Sequence, residues 1–318
     1  MENWKQTKVF ITGAAGFIGA NLARHLLQMG CEVHVLLRPQ SRTWRLDDIL
    51  SELNCHAGDL TNKEELSQLV RATRPEYVWH LATYGAYPFQ TDARNILETN
   101  ILGTCNLLTA CENLEHLQRL VYMGSSSEYG KKSGAMREDM LLEPATLYGI
   151  AKATATMLCV YFHKEKKLPT TVLRPFSVFG PYEEPARLFP EIITAMLRGQ
   201  SPRLANPDAT RDFVYVDDVL DALLLAAQAP KVIGEVCNVS SGKETSIRQI
   251  FEIAKRVTAS SIHAAFGTAA PRVYDASMWV GDATKATKML GWEPKHTLED
   301  GMSKTVAWYR EHLDFYPT

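Results

Sequence analysis

Residues 8–19 read Lys8-Val9-Phe10-Ile11-Thr12-Gly13-Ala14-Ala15-Gly16-Phe17-Ile18-Gly19, and this stretch decides the fold. The first five residues are a short β-branched and aromatic run, the pattern of a buried strand. Three glycines follow at three-residue spacing, and the apolar pattern then turns helical over residues 17–29 until Gly30 stops it. Each glycine has its own task. Gly13 permits a tight turn, Gly16 lets the backbone approach a bound pyrophosphate, and Gly19 lets the helix pack closely on the strand. The helix N-terminus, with Phe17 and Ile18 in its first turn, adds free N–H groups and a partial positive charge.

Working outward, short strand patterns recur at 32–37, 55–57, 77–81, 119–124 and 170–175. Helical patterns lie between them at 63–73, 93–113 and 146–166. This alternation predicts an α/β fold, a Rossmann-type doubly wound parallel sheet with right-handed crossovers. After residue 176 the pattern changes. Pro175, Pro181, Pro185 and Pro190 fall close together, and helical segments at 190–198, 216–229, 246–258, 284–290 and 298–312 alternate with short strands. The chain therefore reads as a dinucleotide-binding domain over residues 1–176 and a smaller α/β C-terminal lobe for substrate over 177–318. The chain crosses between the lobes, and ligands lie in the cleft at the strand C-termini.

Composition narrows the partners. A net charge of -2 gives no basic field for nucleic acid, so an anionic ligand must be met by a few local arginines. Six cysteines without a C-x-x-C pair read as reduced thiols of a cytoplasmic protein. The start of the chain shows no signal-peptide pattern, and the apolar stretch 219–229 is short and broken by Asp221. A soluble protein with no membrane partner is expected. No metal is expected either, because Asp217 and Asp218 read as helix N-terminal residues.

Two local features speak to chemistry. A site for NAD usually carries an acid about 20 residues beyond the glycines, where it binds the ribose 2′-hydroxyl. Here that place holds Arg38, which suits a 2′-phosphate, so NADP(H) is expected over NAD(H). Asp59 and Leu60, after the third strand, are expected to border the adenine. Further on, Tyr148 and Lys152 stand four apart on a predicted helix and share a face. An ammonium near a phenol favours the phenolate, so Tyr148 is expected to have a lowered pKa and to exchange a proton with a sugar hydroxyl or carbonyl. The preceding loop, Ser125-Ser126-Ser127-Glu128-Tyr129-Gly130, offers a serine hydrogen bond to the reacting oxygen. Both Ser125 and Ser126 remain candidates, with Ser125 favoured. Glu128 is a candidate acid/base or an ordinary loop residue.

Taken together, the glycine turn, His80-Leu81-Ala82, Glu98-Thr99-Asn100-Ile101-Leu102-Gly103-Thr104, the serine loop and Tyr148-x-x-x-Lys152 resemble the extended short-chain dehydrogenase/reductase superfamily, in its nucleotide-sugar epimerase/dehydratase branch. Leu173-Arg174-Pro175-Phe176-Ser177-Val178-Phe179-Gly180-Pro181 and Thr210-Arg211-Asp212-Phe213-Val214-Tyr215-Val216-Asp217-Asp218-Val219 extend the likeness over about residues 7–312. The resemblance implies that Asn100 lies near the nicotinamide, that Leu81, Ala82 and Thr83 line the cofactor groove, and that Pro175 borders it. It implies that Arg211 and Arg272 hold a substrate diphosphate and Asp275 the nucleotide ribose, and that the chain forms a homodimer. Ser177 departs from the asparagine usual in that loop, which bears on the substrate pose. The implied activity is hydride transfer at C4 of a nucleotide-diphosphate sugar. Arg38 tilts the reading toward a 4-keto-sugar reductase, with a 4-epimerase, a 4,6-dehydratase and a non-catalytic NADP(H)-binding regulator as alternatives.

Overall fold

The computed structural model describes residues 4–268 and 278–316. The chain begins β1 (Lys8–Thr12), α1 (Phe17–Gln28), β2 (Glu32–Leu37), β3 (Asn54–Ala57), α2 (Lys63–Thr73) and β4 (Tyr77–His80). It continues α3 (Ala93–Leu97), α4 (Gly103–Cys111), β5 (Arg119–Met123), α5 (Leu147–Lys166), β6 (Thr170–Pro175) and β7 (Ser177–Phe179). Then come α6 (Leu188–Leu197), β8 (Arg203–Leu204), β9 (Thr210–Tyr215), α7 (Val216–Gln228), β10 (Val236–Val239) and β11 (Glu244–Ser246). The last elements are α8 (Ile247–Thr258), β12 (Ala265–Phe266), α9 (Thr284–Leu290) and α10 (Leu298–Glu311).

Seven strands make one parallel sheet in the Rossmann order β3-β2-β1-β4-β5-β6-β10. Both faces are covered, so its central strands carry no polar side. All five residues of β5 are buried; Leu120 and Tyr122 join one core cluster, Val121 and Met123 the other. Each fully buried large apolar side chain contributes roughly 1.5–3 kcal/mol. The strand order reverses between β1 and β4, which opens a crevice at their C-terminal ends.

The chain returns to this sheet after building part of the other lobe. β10 pairs with β6, placing Val236 beside Val172; α7 packs on β5 and β6, and α9 on β10. The smaller lobe holds the sheet β11-β9-β7, the pair β12-β8, and helices α6, α8 and α10 around an aromatic core that includes Phe179, Phe189 and Phe251.

One expected helix differs. The pattern over 93–113 is not a single α-helix: between α3 and α4 runs a π-helical turn, Glu98–Leu102, which carries the buried Asn100. No helix among the described residues is long and apolar enough to cross a membrane.

Candidate functional site

The glycine turn has the shape its sequence requires. Gly13 has φ +79°, and a Cβ there would meet the Ala82 nitrogen at 2.5 Å; one on Gly19 would meet the Gly13 carbonyl oxygen at 2.1 Å. The N-cap of α1 is Gly16, which makes no side-chain cap, and the first turn holds no acid. The N-terminal N–H groups of α1 therefore face the crevice without a competing carboxylate, a setting that fits a pyrophosphate.

From this turn a cleft of about 1340 Å³ runs across the C-terminal ends of the strands into the smaller lobe. It exceeds the roughly 300–1,000 Å³ of a site for one drug-sized ligand, enough for a dinucleotide and a second molecule. Gly13, Gly16, Phe17, Ile18 and Gly19 line one end. Arg38, just past β2, lines the rim with Gln40, Ser41 and Arg42, and no acid of that turn does. Asp59 and Leu60 line the same end, although one Asp59 oxygen already accepts from the Thr61 N–H and hydroxyl, 2.8 and 2.7 Å away. Leu81, Ala82, Thr83 and Pro175 line the floor, and Ser177 and Arg211 the wall from the smaller lobe. Arg272 and Asp275 lie outside the described residues.

Tyr148 and Lys152 project from the first turns of α5 into the middle of this cleft. Thr146 caps the helix, its hydroxyl accepting from the Gly149 N–H at 3.1 Å. The Tyr148 phenol lies beside the Ser125 and Thr83 hydroxyls, and both favour its ionised form. Thr83 donates to Asn100 Oδ1 at 2.8 Å, and Ser125 Oγ accepts from the Ser127 N–H at 3.1 Å, which leaves the Ser125 proton to donate into the cleft. Ser126 is otherwise engaged, its Oγ accepting the Trp279 indole N–H at 3.1 Å. The choice between the serines therefore falls on Ser125 as the one in contact with Tyr148.

Three expectations are corrected. The Tyr148 pKa is raised rather than lowered: burial pushes it up against the Ser125 and Thr83 hydrogen bonds and the Arg187 charge. Lys152 does not reach the phenol; its ammonium donates to the Met123 carbonyl and sits 4.4 Å from the centre of the Tyr122 ring. Burial pulls it down to about 8, opposed by the Glu128 charge. Second, Glu128 does not line the cleft as a free acid/base. It is fully buried, one oxygen accepting from the Ser125 N–H at 2.8 Å and the other from Arg174 Nε at 2.8 Å. Third, Asn100 does not face the cleft. Its Oδ1 accepts from Thr83 and the Tyr84 N–H, and its Nδ2 donates to the Tyr84 and Ile96 carbonyls at 2.6 and 2.8 Å. It fastens the loop that carries Thr83.

The cleft also holds two arginines the sequence did not single out. Arg45 is buried and ties the glycine turn to the smaller lobe, donating to the Ala15 and Tyr182 carbonyls at 3.4 and 2.7 Å and pairing with Glu184 at 2.9 Å. Arg187, at the N-terminus of α6, stands over the Tyr87 ring at 5.2 Å and puts positive charge near Tyr148. The aromatic segment 83–90 walls this side, with Tyr87 and Phe89 stacked 5.5 Å apart. Both arginines sit in loops placed by distant contacts, so no local spacing marks them. Asp212, beside Arg211, accepts from Ser241, Gly242 and Gly281 and pins the wall. Among the described residues no cluster of His, Cys, Asp and Glu is suited to a metal.

A Rossmann sheet whose switch-point crevice opens onto a tyrosine, a serine and a lysine, with a second lobe across the cleft, defines an enzyme class of the extended short-chain dehydrogenase/reductase type. The chain belongs to the NAD-dependent epimerase/dehydratase family, whose model matches residues 9–240. It is 29% identical over 320 residues to a UDP-N-acetyl-alpha-D-glucosaminuronate decarboxylase of Bacillus cytotoxicus, covering 96% of this chain and 98% of that protein. It is 30% identical over 322 residues to a UDP-glucose 4-epimerase of Mycolicibacterium smegmatis, covering 95% and 98%. The UDP-glucuronic acid 4-epimerase of Bacillus cereus, solved with UDP-glucuronic acid and NAD, superposes with a TM-score of 0.86 at 29% identity, covering 96% of this chain and 100% of that one.

Proposed function

We propose that this enzyme is an NADP(H)-dependent reductase acting at C4 of a nucleotide-diphosphate 4-keto sugar. The observation that carries the reading is the rim after β2, where Arg38 and Arg42 stand and no acid of that turn faces the cleft. Paired guanidiniums match a 2′-phosphate in charge and geometry. An epimerase returns the hydride to the same sugar and gains nothing from reading that phosphate, whereas a reductase consumes one reduced cofactor per turnover.

The bound cofactor supplies the hydride; the chain's residues do the rest. Gly13, Gly16 and the α1 N-terminus hold the pyrophosphate, Leu81, Ala82 and Pro175 flank the dinucleotide, and Asp59 and Leu60 border the adenine. Arg211 and Arg272 receive the substrate diphosphate and Asp275 the nucleotide ribose, and Ser177 lines the same wall as Arg211. Tyr148, kept protonated by burial, donates its proton to the C4 oxygen as charge develops there. Ser125 donates a second hydrogen bond to that oxygen. The position of Glu128 argues against a dehydratase that would use this carboxylate at the sugar. A second reading, an NAD-using 4-epimerase, is favoured by the two epimerases to which the chain is similar and by the NAD in one of their structures.

The test mixes the protein with nucleotide 4-keto sugars and, separately, with 4-hydroxy sugars, and follows reduced-cofactor absorbance. Oxidation of NADPH with the keto sugars supports the proposal. Conversion of one 4-hydroxy sugar to its epimer without net NADPH loss refutes it in favour of the epimerase. Tight NADPH binding with no turnover of any sugar refutes it in favour of a regulator.

A homodimer is part of the same proposal. Leu97 and Leu102, around the π-helical turn, and Ile150, Met157 and Tyr161 on α5 are exposed on helices that pack against each other. Large apolar groups gathered on one helix pair fit a self-complementary interface.

A further inference from the structure

Behind the serine loop lies a chain of buried polar groups that makes no contact with the cleft. Asn238 on β10 accepts from the Tyr129 hydroxyl at 2.7 Å and donates to the Met136 carbonyl at 2.8 Å. Arg174 on β6 donates to the Tyr129 hydroxyl at 3.0 Å and, through Nε, to Glu128 at 2.8 Å. The other Glu128 oxygen takes the Ser125 N–H at 2.8 Å and completes a capping box in which Ser125 Oγ accepts from its own loop. Glu128 and Asn238 are fully buried and Arg174 nearly so. The fit is close: a Cβ on Gly124 would come within 2.5 Å of the Glu128 oxygen, so glycine is needed there for the carboxylate to pass.

We propose that Glu128, locked by Arg174, is the positioning residue of this site: it fixes the Ser125 backbone so that the Ser125 hydroxyl meets Tyr148. The inference rests on the functional reading above for its kinetic part and on geometry alone for the rest. Mobile carboxylates seldom serve this purpose. Here each oxygen has one defined donor, and the serine has no freedom to turn while both are held. The charge also reaches the reacting groups: Glu128 raises the pKa of both Tyr148 and Lys152. The titratable and charged groups around it are Arg174 on β6, Tyr122 on β5, Tyr129 in the loop, and Tyr148, Lys152 and Cys159 on α5.

The experiment is Glu128→Gln in the full chain, which keeps the shape and removes the charge. Two readouts are taken: kcat, and the ionisation of Tyr148 by NMR of 13C-labelled tyrosine, assigned with Tyr148→Phe. The expected result is a fall in kcat of about tenfold or more with cofactor affinity retained. With it, Tyr148 should titrate at a lower pH than in the wild-type protein, because a neighbouring negative charge has gone. A packing role alone would not move that titration. If the single variant does not fold, Glu128→Gln combined with Arg174→Met removes both buried charges together, and the kcat loss is read there. Wild-type kcat in the folded variant, or an unmoved Tyr148 titration, overturns the inference. If the wild-type protein turns over no nucleotide sugar, the functional reading fails, and the titration alone decides the positioning role.

Discussion

Replacing Tyr148 with phenylalanine removes one oxygen and leaves the ring. The structure sets the scale of two separate effects. For stability, the two neighbours keep partners: Thr83 still donates to Asn100, and Ser125 still accepts from Ser127. The Ser125 proton still faces the open cleft, where water can accept it, so the change in stability should stay within about 1 kcal/mol. For rate, a positioned acid contributes roughly 10²–10⁴-fold. That is roughly 3–5 kcal/mol in the barrier. The assay pairs steady-state turnover of the keto sugar with NADPH affinity from fluorescence quenching and a thermal melt. Turnover should fall at least about 100-fold with affinity and melting temperature near wild type. A rate within about tenfold of wild type in a well-folded variant would refute the proton-donor role.

Other expectations follow from the same geometry. Arg38→Asp should weaken NADPH relative to NADH by roughly 10–100-fold, the value of one or two charge-assisted hydrogen bonds; an unchanged ratio of kcat/KM for the two cofactors would show that Arg38 does not read the phosphate. Lys152 has its pKa lowered to about 8 from 10.5, so its folding penalty is fully present below about pH 8 and fades as pH rises to the unfolded value. Lys152→Met should therefore melt higher than wild type at neutral pH, by an advantage that shrinks between about pH 8 and 10.5, while losing turnover; a pH-independent difference would count against this. Met157→Arg with Tyr161→Glu should turn a dimer into a monomer in sedimentation equilibrium; an unchanged mass would place the interface elsewhere.

The parts of this protein that were legible from sequence are those fixed by local backbone chemistry. Gly13 and Gly19 announce a turn because no other residue fits the contacts they make, and strand, turn and helix follow within a dozen residues. The four-residue spacing of Tyr148 and Lys152 placed both on the cleft side of α5, since helical geometry needs no outside information. What local pattern cannot give is orientation chosen by a distant partner. Glu128 turns from the cleft because Arg174, 46 residues on, holds it, and Asn100 because the 83–84 loop claims three of its hydrogen bonds and the Ile96 carbonyl the fourth. Arg45 finds Tyr182 and Glu184 across well over a hundred residues of chain. The sign of the Tyr148 shift failed for the same reason: spacing put an ammonium one turn away, but burial outweighed it and the ammonium found the Met123 carbonyl instead.

That reversed sign bears on the direction of the proposed reaction. With the phenol raised above its ordinary value and the ammonium near 8, both groups carry their protons at neutral pH. Tyr148 is then charged with the proton that a carbonyl reduction requires, and is poorly placed to act first as a base. An oxidation that begins with Tyr148 as base would have to start from a phenol whose pKa burial raises. In this chain burial sets the resting state, and Glu128 strengthens it by raising both groups together. The same buried carboxylate that fixes Ser125 thus also keeps the proton donor loaded, which ties the positioning role to the reductive reading through a single side chain.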